Sequence, residues 1–467
     1  MKAIKNLFVL AGLVVAGLAI PAIAATEQPP APGKPHNFNL SQPARFRLDN
    51  GMQATLVEYG HLPKVTVELV IRTGNLNEGD KTWLADFTGK LMDEGTTKHS
   101  AREVADLAAS MGGNVSINVG ADETTISGDV LAEKAPEMIA LIGEIAQSPA
   151  LPQAAVERVR NDLLRSLTIA KSRAQSEAQE AFDKEMYGSD HPYGRIFPTA
   201  DQLKSYSVDD ARSYYEKNFG AQRSHLYVVG EFDVSKVRKA VADTFDAWKK
   251  GPGMFIDIPD SKPHHSLVLL DRKGAPQSTV IIGLPVVDPS SADYIPLTVM
   301  NSLLGGSFSS RITANIREDK GYTYSPYSRI SSNYRAAYWA ERADVTSAHT
   351  ADSLSEILKE ISRLQTTPPS SDELQGIKNY LYGVFVLINS SRGSIIDQLR
   401  YIDLNGLPED YLNTYVQKVN AVTPEDVSAM ASKYLKSAEM SLVIVGDMAT
   451  VKPQLKGLDW IRKGDLD

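Results

Sequence analysis

The chain contains one structural unit twice, and this repeat restricts its fold more than any other feature. Residues 207–231 (SVDDARSYYEKNFGAQRSHLYVVGE) align without a gap with residues 423–447 (TPEDVSAMASKYLKSAEMSLVIVGD). Each copy begins with Ser or Thr followed by acidic residues, which is typical of a helix N-terminus. Each then continues through an amphipathic helix into a β-branched strand. Chance similarity of two helix–strand units is the alternative.

A second matched pair argues against chance. Residues 66–74 (TVELVIRTG) and 278–285 (STVIIGLP) are both predicted strands, and each precedes a helical stretch. The sequence therefore predicts two homologous lobes in tandem, at 45–250 and 267–467. The segment between them, 251–266, is rich in Gly, Pro and Lys and is predicted to be a linker.

Within each predicted lobe, strands alternate with helices. Residues 115–131 have the alternation of a hairpin, and the helix pair predicted at 135–148 and 152–171 has a counterpart at 352–365 and 370–390. Neighbouring strands with helices on one side predict an α+β fold, in which an antiparallel-rich sheet packs against helices in each lobe.

The N-terminus predicts export. A positive start, an apolar run and the small residues Ala22-Ile23-Ala24 predict a cleavable signal peptide over residues 1–24, followed by a Pro-rich leader over 25–44. An uncleaved membrane anchor is the alternative, but the apolar run is short for a span. We expect a periplasmic protein with no membrane span after cleavage.

Charge and cysteine content exclude several functions. The formal net charge is −8, and it becomes −10 when Lys2 and Lys5 leave with the signal peptide. A mildly acidic chain without a basic block argues against nucleic acid as a partner. The chain has no cysteine, which excludes disulfides, thiol catalysis and cysteine metal sites.

Three segments carry a resemblance to a known family: 72–100, 186–195 (MYGSDHPYGR) and 303–325 (LLGGSFSSRITANIREDKGYTYS). From about residue 45 to 450 the chain resembles the pitrilysin/insulinase family of zinc peptidases. The resemblance implies half of a clam-shell that encloses a peptide. The matched residues of the first segment are Arg72, Gly74, Glu78, Leu84, Ala85, Phe87, Leu91, Gly95 and Thr96.

The chain departs from that family at the metal site. The family motif His-x-x-Glu-His supplies two imidazoles to one zinc ion and a glutamate as general base. The corresponding residues here are Asp86, Gly89 and Lys90, and the third ligand position falls at Ser166. A protonated lysine repels a dication, glycine offers no donor, and serine is a poor zinc ligand. We therefore predict no metal and no cofactor in this chain.

Two smaller hypotheses follow. Asp86 and Lys90 have the i, i+4 spacing of a helical ion pair, which could fill the position that zinc takes in that family. Two separately solvated side chains are the alternative. The adjacent His264 and His265 lie in the predicted linker and are predicted to be surface residues rather than ligands.

The second lobe keeps Arg317 and Tyr324, seven residues apart. The resemblance implies that this pair reaches the zinc site of an N-terminal lobe, where the tyrosine hydroxyl donates to the peptide oxyanion and the arginine binds substrate backbone. The alternatives are an ordinary cation at a helix C-terminus and one aromatic residue among several in a strand.

An emptied metal site beside a retained Arg–Tyr pair predicts a division of labour. We expect a non-catalytic, substrate-binding subunit whose partner is a paralogous subunit with the intact motif and its zinc, acting together on peptides. The chain alone should not be an enzyme. A peptide-binding or chaperone-like module, or a purely structural subunit, are the alternatives.

Overall fold

The computed structural model describes residues 38–255 and 257–466. The predicted signal peptide (1–24) lies outside the described residues, as does the predicted leader up to residue 37. No helix in the described ranges combines the length and the apolar character that crossing a membrane requires.

The first half alternates strands and helices as its sequence periods predict. Its elements are β1 (Ala44–Arg47), β2 (Gln53–Glu58), β3 (Lys64–Ile71), α1 (Leu84–Met92), α2 (Ala101–Ser110), β4 (Val115–Val119), β5 (Thr124–Leu131), α3 (Ala135–Gln147), α4 (Val156–Lys171), α5 (Ala174–Tyr187), α6 (Ala200–Ser205), α7 (Val208–Asn218), β6 (Ser224–Gly230) and α8 (Val234–Phe245).

The second half repeats this order. Its elements are β7 (Ser266–Asp271), β8 (Gln277–Val286), α9 (Tyr294–Asn301), β9 (Tyr327–Asn333), β10 (Ala336–Thr346), α10 (Thr350–Thr366), α11 (Ser371–Ile388), α12 (Arg392–Asn405), α13 (Tyr411–Ala421), α14 (Pro424–Tyr434), β11 (Ser441–Gly446) and α15 (Met448–Leu455). Two π-helical turns, Ser302–Gly306 and Thr313–Asp319, lie between α9 and β9.

The two sheets share one topology, except that β1 of the first has no counterpart in the second. The strand order is β1-β2-β6-β3-β5-β4 in the first and β7-β11-β8-β10-β9 in the second. In the first sheet β6 runs parallel to β2 and antiparallel to β3. In the second sheet β11 likewise runs parallel to β7 and antiparallel to β8. The predicted α+β fold, with two homologous lobes of sheets packed on helices, is confirmed.

Matching caps start the repeated helices. Ser207 accepts a hydrogen bond from the backbone N–H of Asp210, and Asp210 accepts one from the backbone N–H of Ser207. Thr423 and Asp426 form the same reciprocal pair at α14. Each pair satisfies backbone donors that a helix N-terminus leaves free, so both helices begin where the sequence predicts.

Strand β3 shows how each sheet is buried on both faces. Val65, Val67 and Leu69 point into the core of the first half. Glu68, on the opposite face, forms an ion pair with Arg400 of α12, which belongs to the second half. Because side chains alternate along a strand, one face serves the local core and the other receives a helix from the other half.

The exchange is reciprocal, because α5 of the first half covers the second sheet. Phe182 and Met186 of α5 share one buried cluster with Ile281, Tyr338 and Val443 of that sheet. The equivalent helices of the two repeats, α5 and α12, have therefore changed places. The sequence predicted helices on one side of each sheet only, so this second layer of helices is a correction to that prediction.

Helix α12 adds ion pairs to its apolar packing, in which Ile396 and Leu399 share a buried cluster with Val70 of the first sheet. Arg400 donates to Glu68 (3.0 Å) and to Glu123 (3.0 Å) of the first half, and Arg72 lies 3.4 Å from Glu123. Arg392 donates to Asp129 at 2.9 Å. Charges buried in this way depend on their partners, since an unpaired buried charge is far more costly than a paired one.

Removing one partner tests this dependence. We expect Arg400→Ala to lower the free energy of unfolding by about 3–5 kcal/mol, because Glu68 and Glu123 lose a buried partner. Arg102→Ala is the matched control: Arg102 is 91% exposed, and its pair with Asp106 should contribute less than about 1 kcal/mol. Chemical denaturation measures both variants, and equal effects would contradict a special role for Arg400.

Stability should also depend on pH through Glu68. Burial raises the pKa of Glu68 from 4.5 to about 7. Between pH 4.5 and about pH 7, Glu68 of the folded protein holds a proton that the unfolded chain has lost. The free energy of unfolding therefore falls as the pH rises, until Glu68 is also ionised in the folded protein. From about pH 6.5 to about pH 8 we expect Glu68 to reduce the free energy of unfolding by about 1 kcal/mol.

Glu68→Gln should remove that share of the pH dependence. Denaturation of both proteins at the two pH values gives the comparison. Identical slopes for the two proteins would show that Glu68 does not hold the proton.

Candidate functional site

Helix α1, which carries the degenerate metal motif, is started by a residue outside it. The Glu78 carboxylate accepts hydrogen bonds from the backbone N–H groups of Trp83 (2.9 Å) and Ala85 (3.1 Å). Trp83 has φ +67° and gives no side-chain cap. Burial raises the pKa of Glu78 to about 8. Sequence analysis gave Glu78 only as part of the resemblance, and the structure assigns it this capping role.

Asp86 is bound by an asparagine, not by Lys90. Asn75 donates from its amide nitrogen to Asp86 at 2.8 Å and to Glu78 at 3.1 Å. Burial raises the pKa of Asp86. Lys90 is exposed, and Asp86 and Lys90, both in the described chain, form no ion pair. The hypothesis of an ion pair at the former zinc position is wrong, because Asp86 is hydrogen-bonded to Asn75 while Lys90 is exposed to water.

Gly89 stands where the family places its general base, and strand β4 occupies that space. A Cβ atom at Gly89 would lie 2.6 Å from Cγ2 of Val119. Only a residue without a side chain fits under Val119 in this arrangement. The position of the family's general base is therefore blocked by Val119, in addition to the loss of the zinc ligands.

Ser166 completes the set of four substituted positions. It is exposed on α4, and its hydroxyl donates to the backbone carbonyl of Asp162 at 2.9 Å within the same helix. Within the described ranges, no three His, Asp or Glu side chains gather in a group that could hold a metal ion. The residues at these four positions do not fit zinc.

One histidine differs from its prediction. His264 is exposed, as expected, but the His265 side chain is only 5% exposed. Its Nε2 lies 2.9 Å from Asp465, and its ring lies 4.2 Å from the ring of Trp460. The C-terminal segment covers His265, which a linker assignment from composition does not reveal.

The second candidate site brings Arg317 and Tyr324 together. The Arg317 guanidinium lies 5.2 Å from the centre of the Tyr324 ring and 4.4 Å from that of Phe308. Tyr324 is 78% exposed and Phe308 is 70% exposed. Phe308 was missed by the sequence analysis. The sequence feature that points to Phe308 is its position in the loop after Gly305-Gly306.

The backbone under Arg317 is held in place. Its segment is a π-helix, shown by the hydrogen bond from Lys320 N to Asn315 O (3.0 Å), rather than the α-helix expected from sequence. Asn315 donates to Glu356 (2.8 Å) and Glu360 (2.9 Å) of α10. Short π-helical segments are frequent at functional sites, where they reposition side chains.

Neighbouring residues fix Tyr324 while leaving its side chain free. Tyr322 stacks on His349 with ring centres 4.5 Å apart, and the Thr323 hydroxyl donates to Asp344 O at 2.8 Å. The Tyr324 hydroxyl makes no hydrogen bond to any described residue. Tyr324 precedes β9 rather than lying in it, so the alternative of an ordinary strand aromatic is not supported.

Gly305 is required by what lies beneath the loop. A Cβ at Gly305 would meet Glu341 Oε2 and Ser328 Oγ, both at 2.5 Å. Glu341 is fully buried, and this burial raises its pKa well above the usual range. The loop that presents Phe308 therefore rests directly on a buried acid.

Both halves of the chain match models of one peptidase family. Residues 56–197 match the family described as "Insulinase (Peptidase family M16)", and residues 205–381 match "Peptidase M16 inactive domain". A protein named "Uncharacterized zinc protease YmxG" from Bacillus subtilis is 25% identical over 405 residues, covering 86% of this chain and 97% of that protein. The "Non-peptidase homolog YmxG" of Helicobacter pylori is 22% identical over 400 residues, 84% of this chain and 91% of that protein.

Solved structures show the same fold. A crystal structure of a peptidase M16 inactive domain from Pseudomonas fluorescens has a TM-score of 0.81 at 21% identity, covering 87% of this chain and 98% of its own. That of a protease from Helicobacter pylori has a TM-score of 0.79 at 18% identity, covering 87% and 100%. The resemblance stated from sequence is confirmed.

Packing at Gly89 gives a test of the blocked general-base position. We expect Gly89→Ala to destabilise the protein by roughly 1–3 kcal/mol, because the new methyl group collides with the stiff Val119 side chain. Adding Val119→Ala should recover much of that loss relative to Val119→Ala alone. Denaturation of the four proteins completes a double-mutant cycle, and strict additivity would show that the two positions do not touch.

Proposed function

Since the chain belongs to peptidase family M16 and lacks that family's zinc ligands, we propose that it is the non-catalytic, substrate-binding subunit of a heteromeric zinc peptidase. The observation that carries this proposal is the exposed cluster of Arg317, Tyr324 and Phe308. The two rings are open to solvent and flank the half-buried Arg317, although the metal-site positions of the same chain do not fit zinc.

Exposure of the cluster argues for a binding role. Large aromatic side chains are usually covered, and exposed apolar groups that cluster mark interaction sites. Tyrosine and arginine are also the residues most enriched in the energetic centres of interfaces. An ordinary helix-end cation would need neither the two flanking rings nor the anchored π-helix.

The chemistry of the cluster suits a peptide undergoing hydrolysis. The Tyr324 hydroxyl is free to donate to the carbonyl oxygen as negative charge develops there. The Arg317 guanidinium has five N–H donors and forms one ion pair, with Glu318 (3.2 Å), so donors remain for substrate backbone. When bound, the zinc ion of a partner supplies the activated water that this chain cannot provide.

The proposed partner is a paralogous subunit with the intact His-x-x-Glu-His motif. Two such subunits, each with two lobes, would enclose a peptide in a clam-shell. The signal peptide predicted at 1–24 supports a periplasmic site of action, and the acidic charge supports peptides rather than nucleic acid as substrate.

Capture of peptides without cleavage is the second candidate. The same exposed cluster favours it, since aromatic and arginine side chains bind extended peptides with or without a metal nearby. A purely structural subunit is less well supported, because it has no use for an exposed cluster of this kind.

Reconstitution tests the proposal. The mature chain alone should cleave no peptide with or without added zinc, a paralogue with the intact motif should cleave slowly or not at all, and their mixture should cleave. Zinc-dependent cleavage by this chain alone would overturn the proposal. Peptide binding by this chain with no gain in cleavage in any mixture would favour capture.

Substitutions in the cluster give the sharper test. In the active mixture we expect Tyr324→Phe to lower kcat/KM on the order of 100-fold, because one oxyanion donor is lost. Tyr380→Phe is the matched control, because Tyr380 is an exposed tyrosine on α11 outside the cluster, and its rate should not change. An unchanged rate for Tyr324→Phe would remove the hydroxyl from the mechanism.

A further inference from the structure

A polar cavity of about 310 Å³ lies where the two halves meet. Helix α5 contributes Gln179, Asp183 and Tyr187 to its wall, strand β9 contributes Arg329, and the loop after α5 contributes Arg195. The cavity exists because α5 crosses from the first half onto the second sheet. It is built from residues other than Arg317 and Tyr324.

The floor of the cavity is a buried acid without an ion partner. Asp183 is 7% exposed and accepts a hydrogen bond from the Gln179 amide nitrogen at 2.6 Å. It forms no ion pair with any described residue. Burial raises the pKa of Asp183 to about 7, and the charges of Arg342 and Arg329 offset only part of this cost. A cation in direct contact would favour the charged carboxylate further.

Three other polar atoms on the wall lack partners. Gln179 Oε1, the Tyr187 hydroxyl and Arg195 Nε are buried and make no hydrogen bond to any described residue. Tyr187 is only 7% exposed, so its hydroxyl is held away from bulk water. Native proteins leave few buried polar groups unpaired, and several around one cavity indicate an occupant with matching groups.

The charges are arranged from the inside outward. Asp183 lies at the buried end, whereas Arg329 is exposed at the mouth and its side chain has no hydrogen bond or ion pair among the described residues. Arg195 is half-buried, with one nitrogen donating to Gly79 O at 2.6 Å. A ligand that enters would meet guanidinium groups first and the carboxylate last.

Aromatic rings complete the wall. Trp83, Tyr193 and Tyr338 line the cavity beside Tyr187. The Tyr193 hydroxyl is held by Asp122, and the Trp83 indole nitrogen donates to Ile196 O at 3.0 Å. Aromatic side chains near a carboxylate attract an ammonium group through their electron-rich faces.

From this arrangement we infer that the cavity binds a small zwitterion, an amino acid or a dipeptide, with its ammonium group at Asp183 and its carboxylate at Arg329 and Arg195. The volume supports this class, because it lies at the lower end of the range for ligand sites, about 300–1,000 Å³. The inference goes beyond the proposed function and concerns this chain alone, so its test needs no second subunit.

The experiment uses the mature chain and a matched series of probes. Free amino acids and dipeptides are titrated by calorimetry, and the best binder is then compared with its N-acetylated and C-amidated forms. We expect the zwitterion to bind, and we expect each blocked form to bind at least about tenfold more weakly, because each loses one charge-assisted contact. Whether single amino acids or dipeptides bind better identifies the source of the zwitterion.

Variants locate the site. Arg329→Gln changes an exposed residue at the mouth, and it should weaken the zwitterion at least about tenfold but leave the amidated form unaffected. Asp183→Asn should weaken the zwitterion and leave the acetylated form unaffected. Lys184→Gln, at the exposed neighbour of Asp183 on the same helix, is the control and should change nothing.

Two results would overturn the inference. One is no detectable binding of any amino acid or dipeptide at 10 mM, roughly the weakest affinity expected of a specific small-ligand site. The other is equal binding of the zwitterion and both blocked forms, which would show that the charged ends are not recognised. Neither result depends on whether the Asp183 variant folds, since the blocked probes are tested on the unaltered chain.

Discussion

The exchange of α5 and α12 between the two halves is the contact on which the rest of the molecule depends. Each sheet buries one face on its own helices, and the other half supplies the helix for the second face. Both contacts have apolar packing, through Phe182 and Met186 on α5 and through Ile396 on α12, and α12 adds the ion pairs of Arg400. Neither half has a complete second face alone, so the lobes form one body rather than two linked domains.

That exchange also decides where the functional surfaces lie. With both sheets covered, the available positions are the sheet edges, the loops around α9 and the junction itself. The Arg317 cluster uses the loops, and the polar cavity uses the junction. The blocked general-base position lies at the edge strand β4, where Val119 packs over Gly89. The Arg317 cluster and the polar cavity thus lie apart from the positions that correspond to the family's metal site.

Much of the fold could be predicted from the sequence because local patterns determine it. The matched caps at Ser207 and Thr423 and the alternating strands marked the repeat. The exchange could not be predicted, since a helix sequence shows that it has an apolar face but not which sheet that face meets. At the site, Arg317 and Tyr324 were found through the resemblance. Phe308 and Val119 were missed because their importance comes from spatial neighbours distant in sequence.

The packing of Val119 over Gly89 has an evolutionary consequence. Loss of the ligands alone could be reversed by a few substitutions, but a strand side chain now stands where the general base would return. Any lineage regaining histidines first would have metal ligands without a base, and one regaining the glutamate first would bear a steric conflict without benefit. Each single step back is therefore neutral or harmful, so the packing of Val119 over Gly89 hinders a return of the zinc motif by single substitutions.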